Sequence, residues 1–396
     1  MKVTYISKWP PIQGGTCSQS YWTANALAKN GVKVHVVTNA WEVESNYRTK
    51  IEFNDLGKYY PKNMKLFSTH GFEDIWHIPD SNPYVAKVAS LAMEVTEAYD
   101  TDLIFGWYML PYVIAGHITK TMENRPLIAR HAGSDMKRLI ESVFLRKLFA
   151  EVLKKTDKII TLESMYPVFE RLGVKPDQLT TVSPMNLDTD VFTPRGNKLD
   201  LSPYGEKFLG KPVLLYMGKI EHNKGIFNLI DALGRVNEDF TLLIVTGRGG
   251  RSKVIDRLRY NGIEDKTIIL DFVAPWKVPE IIRAADYVVC GEFDYSVPQH
   301  HTRIPREAAA CGTPTIISDY LHKKGLYDEW RDGEETIVFS PGDISGFAET
   351  LRHAIRDIDE LAHLKRNVRE FAVKHEEFDK YIKGTIKIYK EVIKNG

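Results

Sequence analysis

Val213-Leu214-Leu215-Tyr216-Met217 runs directly into Gly218-Lys219-Ile220-Glu221-His222-Asn223-Lys224-Gly225, and a helix is expected from Ile226 to about Arg235. Five apolar residues closed by a glycine read as a buried strand, and the polar stretch after them as a loop. Phe240 to Val245 supplies the next strand. A strand, loop, helix and strand in that order build a parallel sheet covered on both faces. Further strands are expected at Thr267 to Leu270, Tyr287 to Val289 and Thr315 to Ile317.

The same unit opens the chain. Lys2 to Ile6 reads as a strand, Gly14-Gly15 as a loop, and Tyr21, Ala24, Leu27 and Ala28 as one face of a helix. Asn30-Gly31 stops that helix, and Val32, Val34, Val36 and Val37 form the next strand. The pattern recurs at Asp102 to Phe105, Pro126 to Ala129 and Lys158 to Thr161. Residues 193–212, with Pro194, Gly196, Pro203, Gly205, Gly210 and Pro212, read as a linker. The reading is two tandem α/β domains, 1–195 and 196–375, whose parallel sheets face a central cleft. The helical spacing of Phe378, Tyr381, Ile382, Tyr389, Val392 and Ile393 makes 376–394 a candidate to pack back on the first domain.

Composition narrows the class. The chain has 396 residues, 43% hydrophobic and 27% charged, with a net charge of +1. That describes a soluble globular protein of two or three domains. It argues against a nucleic-acid binder with a basic face. No apolar run approaches the ~20 residues that span a bilayer, and the first residues are too short a run for a secretory signal. Three cysteines (Cys17, Cys290, Cys311) without a CxxC argue against a disulfide framework or a structural zinc site, and point to a cytoplasmic setting.

The loop 218–225 places Lys219 and Lys224 between a strand and a helix, where free N–H groups and the helix dipole favour anions. Two ammonium groups there suit a diphosphate. Gln299-His300-His301-Thr302 then leads into Arg303-Ile304-Pro305-Arg306-Glu307-Ala308-Ala309-Ala310-Cys311-Gly312-Thr313-Pro314. The small residues let this helix sit close to the sheet, and Glu307 is suited to accept hydrogen bonds from a ribose diol.

These two segments together resemble the retaining glycosyltransferases of family 4, which have the two-Rossmann GT-B fold. Other stretches resemble the family in the same order: Gly14-Gly15, His131-Ala132-Gly133-Ser134-Asp135, Pro184 to Phe192, Gly247-Arg248-Gly249-Gly250, Ala284-Ala285-Asp286 and Pro341-Gly342-Asp343. The resemblance implies a hexosyltransferase of the EC 2.4 class that uses a UDP-, GDP- or ADP-sugar as donor, with no other cofactor and no metal. It implies that Gly218, Lys219 and Lys224 bind the diphosphate, that Glu307 binds the ribose, and that Phe272 and Val273 lie against the base. It implies that the Gly15 amide meets the phosphate or sugar, that His131 positions the sugar, and that 299–302 line the donor site. Front-face attack, with the donor phosphate taking the acceptor proton, also comes from the family. Lys219 stands where the family usually has arginine, which keeps charge but loses the bidentate fork.

One departure concerns catalysis. The family carries a second glutamate eight positions before Glu307, and here that position is Gln299. Gln299 acts as a neutral substitute, or Glu292 or Asp294 takes the role, or transfer is altered or lost. A nucleotide-sugar epimerase on the same fold and a non-catalytic nucleotide-sugar binder are the alternatives. Asp188-Thr189-Asp190 and Gly247-x-Gly249 are weak metal and dinucleotide signals.

The acceptor, a sugar, polysaccharide or lipid-linked glycan, is expected to be chosen by the loops 41–78 and 107–112. Trp107-Tyr108-Met109 reads equally as acceptor pocket or core. Residues 130–158 hold eight Lys/Arg against four Asp/Glu. With Leu139, Val143, Phe144, Leu148 and Phe149 they form a candidate peripheral contact with the inner face of a membrane.

Overall fold

The computed structural model describes residues 1–70, 83–294, 302–359 and 362–395. The chain divides into two compact units, residues 1–186 with 377–396, and residues 187–376. Among the described residues, the strands of the first unit are β1 (Lys2–Ile6), β2 (Lys33–Thr38), β3 (Met64–Ser68), β4 (Leu103–Trp107), β5 (Leu127–Arg130), β6 (Lys158–Ile160) and β7 (Leu179–Thr180). Those of the second are β8 (Val213–Met217), β9 (Thr241–Thr246), β10 (Thr267–Asp271), β11 (Tyr287–Cys290), β12 (Thr315–Ser318) and β13 (Thr336–Phe339).

The first sheet runs in the order β3-β2-β1-β4-β5-β6-β7 and the second in the order β10-β9-β8-β11-β12-β13. All these neighbours pair in parallel, with registers such as Tyr5↔Phe105 and Leu214↔Tyr287. Parallel strands covered by helices on both faces are apolar throughout. Every residue of β4 and β9 is accordingly buried. In each sheet the strand order reverses beside the first strand, between β1 and β4 and between β8 and β11. Ligands of open parallel sheets bind outside the carboxyl ends of the strands at such points.

The core of the second unit packs Leu229, Ile230 and Leu233 against Leu242, Ile244, Phe347 and Leu351. The helix Ile344–Arg356 starts at Asp343, whose carboxylate accepts Gly346 N–H at 2.9 Å. The C-terminal helix Phe378–Asn395 is part of the first unit. Its buried residues Tyr381, Ile382, Thr385, Ile388, Tyr389 and Val392 form one stripe. Tyr389 lies 5.6 Å from Phe105, and the Tyr381 hydroxyl meets Thr23 Oγ1 at 3.0 Å.

Two sequence expectations are corrected. Residues 193–212 are no free linker. Leu201 and Phe208 are buried, and Arg283 donates to the carbonyls of Asn197 (2.8 Å) and Thr193 (3.1 Å). Prolines and glycines there shape a packed, irregular strap. Three strands were also missing from the reading: β3 and β13 are only partly buried and so lack a continuous apolar run, and β7 has only two residues.

Candidate functional site

In the second unit the loop after β8 lies backbone to backbone on the loop after β11. Gly225 has φ +73, and a Cβ on it would stand 2.2 Å from the Gly291 carbonyl oxygen. Only glycine permits that approach in that conformation. Phe293 N–H donates to the Asn223 carbonyl at 2.9 Å, and the His222 ring meets Phe293 edge-on at 5.2 Å. The close approach delivers Lys224 to Glu292, with which it forms an ion pair. Glu292 is 2% exposed. Its Oε2 also accepts the Thr302 hydroxyl at 2.5 Å, and its Oε1 lies 3.2 Å from Lys324 Nζ.

Lys219 differs from Lys224. Its side chain is 67% exposed and stands 3.8 Å from Glu221. The loop start is fixed beside it: Tyr216 donates its hydroxyl to the Lys219 carbonyl at 2.7 Å, and Gly218 N–H to Val245 at 3.1 Å. Phe272 and Val273 are partly exposed just beyond β10, with Phe272 N–H bonded to Thr246 at 3.1 Å. Next to them, Asp271 bonds Arg251 (2.6 Å) and Arg248 (3.0 Å). Burial raises the Asp271 pKa, but the two guanidiniums outweigh it and hold the carboxyl below its ordinary value.

Glu307 sits in the short helix Ile304–Ala310, is 4% exposed, and accepts Arg303 Nε at 3.2 Å. Thr302, just before that helix, has its carbonyl held by the Tyr327 hydroxyl. Burial pushes the Cys290 thiol well up, and the charges of Glu292, Lys224 and Glu307 all act on it. Asp294 is exposed with φ +46. Gln299, His300 and His301 lie outside the described residues.

In the first unit the helix Gly15–Lys29 begins just after β1, and a Cβ at Gly14 or Gly15 would meet nothing within 4 Å. His131 follows β5. Its Nδ1 accepts Gly133 N–H at 3.1 Å, so the ring proton is on Nε2, facing Thr161 Oγ1 at 2.6 Å. Burial lowers the pKa of this imidazole, Asp135 opposes that shift, and Arg130 reinforces it. Asp135 in turn accepts the N–H groups of Met109, Ala132 and Met136 at 2.9, 3.0 and 2.9 Å. Trp107 and Met109 are 1% exposed and belong to the core, while Tyr108 is half-buried under Lys8 Nζ, 3.8 Å from the ring centroid. Asp188 Oδ1 accepts Asp190 N–H at 3.0 Å, a local turn within the acidic pair.

Residues 200–371 match the family described as "Glycosyl transferases group 1". Over those residues the chain resembles a group 1 glycosyltransferase domain. The matched residues lie within the second unit, the one that holds Lys224, Glu292 and Glu307. The fold class is GT-B, two parallel-sheet Rossmann-like units in one chain.

A glycogen synthase of Mycobacterium tuberculosis is 27% identical over 154 residues, 37% of this chain and 35% of that protein. A D-inositol 3-phosphate glycosyltransferase of Xylanimonas cellulosilytica is 24% identical over 233 residues, 55% of this chain and 53% of that protein. The chain thus spans from a third to a half of the length of these curated relatives. The solved structure of Anabaena Alr3699/HepE in complex with UDP and glucose is similar with a TM-score of 0.70 and 17% identity, covering 99% of this chain and 100% of that one. At that identity the likeness shows the fold.

Sequence reasoning missed three features around the second unit's charged centre. They are Lys324, the Ser318 hydroxyl that holds the Glu292 carbonyl, and the Arg306–Glu376 pair. Lys323-Lys324 follows a strand end by only a few residues, and that position alone marked it for inspection.

Proposed function

We propose that this chain is a retaining hexosyltransferase that moves a sugar from a nucleoside diphosphate donor (UDP-, GDP- or ADP-linked) to a hydroxyl acceptor. The observation that carries the reading is the Lys224–Glu292 pair at the point where the second sheet reverses its strand order. The group 1 match over the same unit supports donor binding there, and the first unit is left to the acceptor.

A nucleoside diphosphate is a good leaving group, so positioning and charge stabilisation carry most of the catalysis. Lys224 and the exposed Lys219 take the diphosphate, Glu307 the ribose, and Phe272-Val273 the base. The open amide end at Gly15 receives a phosphate or sugar oxygen. His131, neutral and with both ring nitrogens engaged, orients groups rather than shuttling a proton. The role of the family's second glutamate falls to Gln299 as a neutral substitute, or to Glu292 or Asp294.

Thermal-shift measurements with UDP, GDP, ADP and their sugars identify the donor, because stabilisation grows with concentration over Kd. Product analysis with that donor, alone and with candidate acceptors, then decides. A glycoside with retained configuration is the expected product. Epimer from donor alone, or unchanged donor, would replace the reading with an epimerase or a binding protein.

One observation favours a further placement. Val143 and Phe144 are 84% and 91% exposed and precede the exposed Arg146 and Lys147. An apolar tip with basic flanks suits the anionic inner surface of a membrane, and three buried, unbridged cysteines suit the cytoplasm. Among the described residues no helix is long and apolar enough to cross a membrane. The chain should sediment with anionic vesicles and less so after Phe144→Ser; equal recovery with neutral vesicles would remove this placement.

A further inference from the structure

Asp135 stands in the first turn of the helix Ser134–Glu141 and is 3% exposed. An aspartate so placed ordinarily answers the free N–H groups at the start of its own helix. Asp135 does this with Oδ1, which accepts Met136 N–H at 2.9 Å and Ala132 N–H at 3.0 Å. Its Oδ2 reaches out of the helix and accepts Met109 N–H at 2.9 Å, 26 residues away in sequence. One buried carboxylate therefore joins the loop after β4 to the loop after β5.

Each loop carries an unusual residue beside the N–H that Asp135 holds. Tyr108 has φ +84, a conformation that bulky side chains rarely adopt and that persists only where the surroundings impose it. Its N–H donates to the Arg130 carbonyl at 2.9 Å, and its carbonyl accepts Val113 N–H at 3.1 Å. The Asp135 bond to the next N–H completes the clamp. Trp107 and Met109 stay in the core, while the Tyr108 ring lies beneath Lys8 of the loop after β1, at the strand-order reversal of the first sheet. On the other loop, Asp135 holds the peptide between His131 and Ala132. Gly133, at φ +83, brings its N–H to His131 Nδ1 at 3.1 Å, which leaves the ring proton on Nε2 against Thr161.

Resting on the reading above, in which the first unit takes the acceptor and His131 orients groups there, we propose that Asp135 is a positioning residue for transfer, setting the Tyr108 turn and the His131 tautomer together. A carboxylate can do this because both of its oxygens only accept. An asparagine presents an NH2 on one side, which faces N–H donors and breaks that half of the clamp. A serine is too short to reach Met109. Either change removes the bridge between the two loops while the start of the helix can still be capped.

The test reads the clamp directly in the full chain. Long-range proton–nitrogen spectra with labelled histidine, assigned by the signals lost in His131→Gln, should show one neutral Nε2–H form of His131 at neutral pH. Asp135→Ser should mix in the Nδ1–H form and speed amide exchange at Met109 by about tenfold or more. Asp135→Asn, which keeps the shape, should show at least one of these two changes. With the donor and acceptor that product analysis identifies, both variants should lower kcat for transfer by about tenfold or more, and Asp135→Glu should restore part of it. Calorimetry with UDP, GDP and ADP should find nucleoside diphosphate affinity unchanged, which separates lost positioning from general unfolding. An Nδ1–H form in the unmutated chain, spectra and exchange unmoved in both variants, or undiminished transfer overturns the assignment. Absence of any glycoside from the unmutated chain overturns the transferase reading itself, whatever the spectra show.

Discussion

Glu292 carries a charge that burial alone would penalise by several kcal/mol, and two ammonium groups and a hydroxyl offset that cost. His35 shows the opposite case, a titratable ring without a counter-charge. It is 6% exposed, stacks on Tyr99 at 4.3 Å, and its Nδ1 has no hydrogen-bond partner among the described residues. Burial, then Lys65, Lys2 and Lys33, lower its pKa to about 4. The folded chain therefore takes up this proton less readily than the unfolded chain, whose histidines titrate near ~6.5. The stability it protects is complete above about pH 6.5 and is lost as pH falls from there toward about 4. Melting curves should show His35→Leu gaining on the unmutated chain between pH 7 and 5; a constant difference in Tm would contradict this. At this scale Lys224, Gly225 and Glu307 were readable because their residue types are set by local backbone and charge. Lys324 was not, because its partner, Glu292, is distant in sequence.

Elements were legible where burial makes a strand apolar throughout, as in β1, β8 and β9. They were hidden where the strand is brief: β7 has two residues, too few for any periodicity. The helix Ile304–Ala310 shows a further dependence on distant chain. Its Arg306 bonds Glu376 twice, Nε to Oε1 at 2.6 Å and Nη2 to Oε2 at 2.5 Å, and Glu376 also accepts Leu187 N–H at 3.0 Å. Both side chains are below 10% exposed. Removing one partner from a buried pair typically costs about 3–5 kcal/mol. Arg306→Ala should lower the unfolding free energy of the second unit by that order in a denaturant titration. A loss below about 1 kcal/mol would show the pair to be solvated like a surface ion pair.

Over the whole chain, the two α/β repeats were visible as two strand-loop-helix-strand units. The exact crossing points were not, because 193–212 has linker composition but packs through Leu201 and Phe208. The chain leaves the first unit after Asn186 and returns to it at Glu377. The returning helix buries Tyr389 completely, yet its hydroxyl has no hydrogen-bond partner among the described residues. A buried hydroxyl left unsatisfied costs about 1–3 kcal/mol. Tyr389→Phe should therefore raise the Tm of the first unit, whereas a fall would reveal a hydroxyl partner such as buried water.

The diphosphate site at the strand-order reversal of the second sheet is tested most directly by Lys224→Ala. Its binding of the preferred nucleoside diphosphate and of the matching nucleoside should be measured side by side by calorimetry. The account predicts a loss of about tenfold or more for the diphosphate, with nucleoside affinity nearly unchanged. Equal losses for both, or none for either, would contradict it.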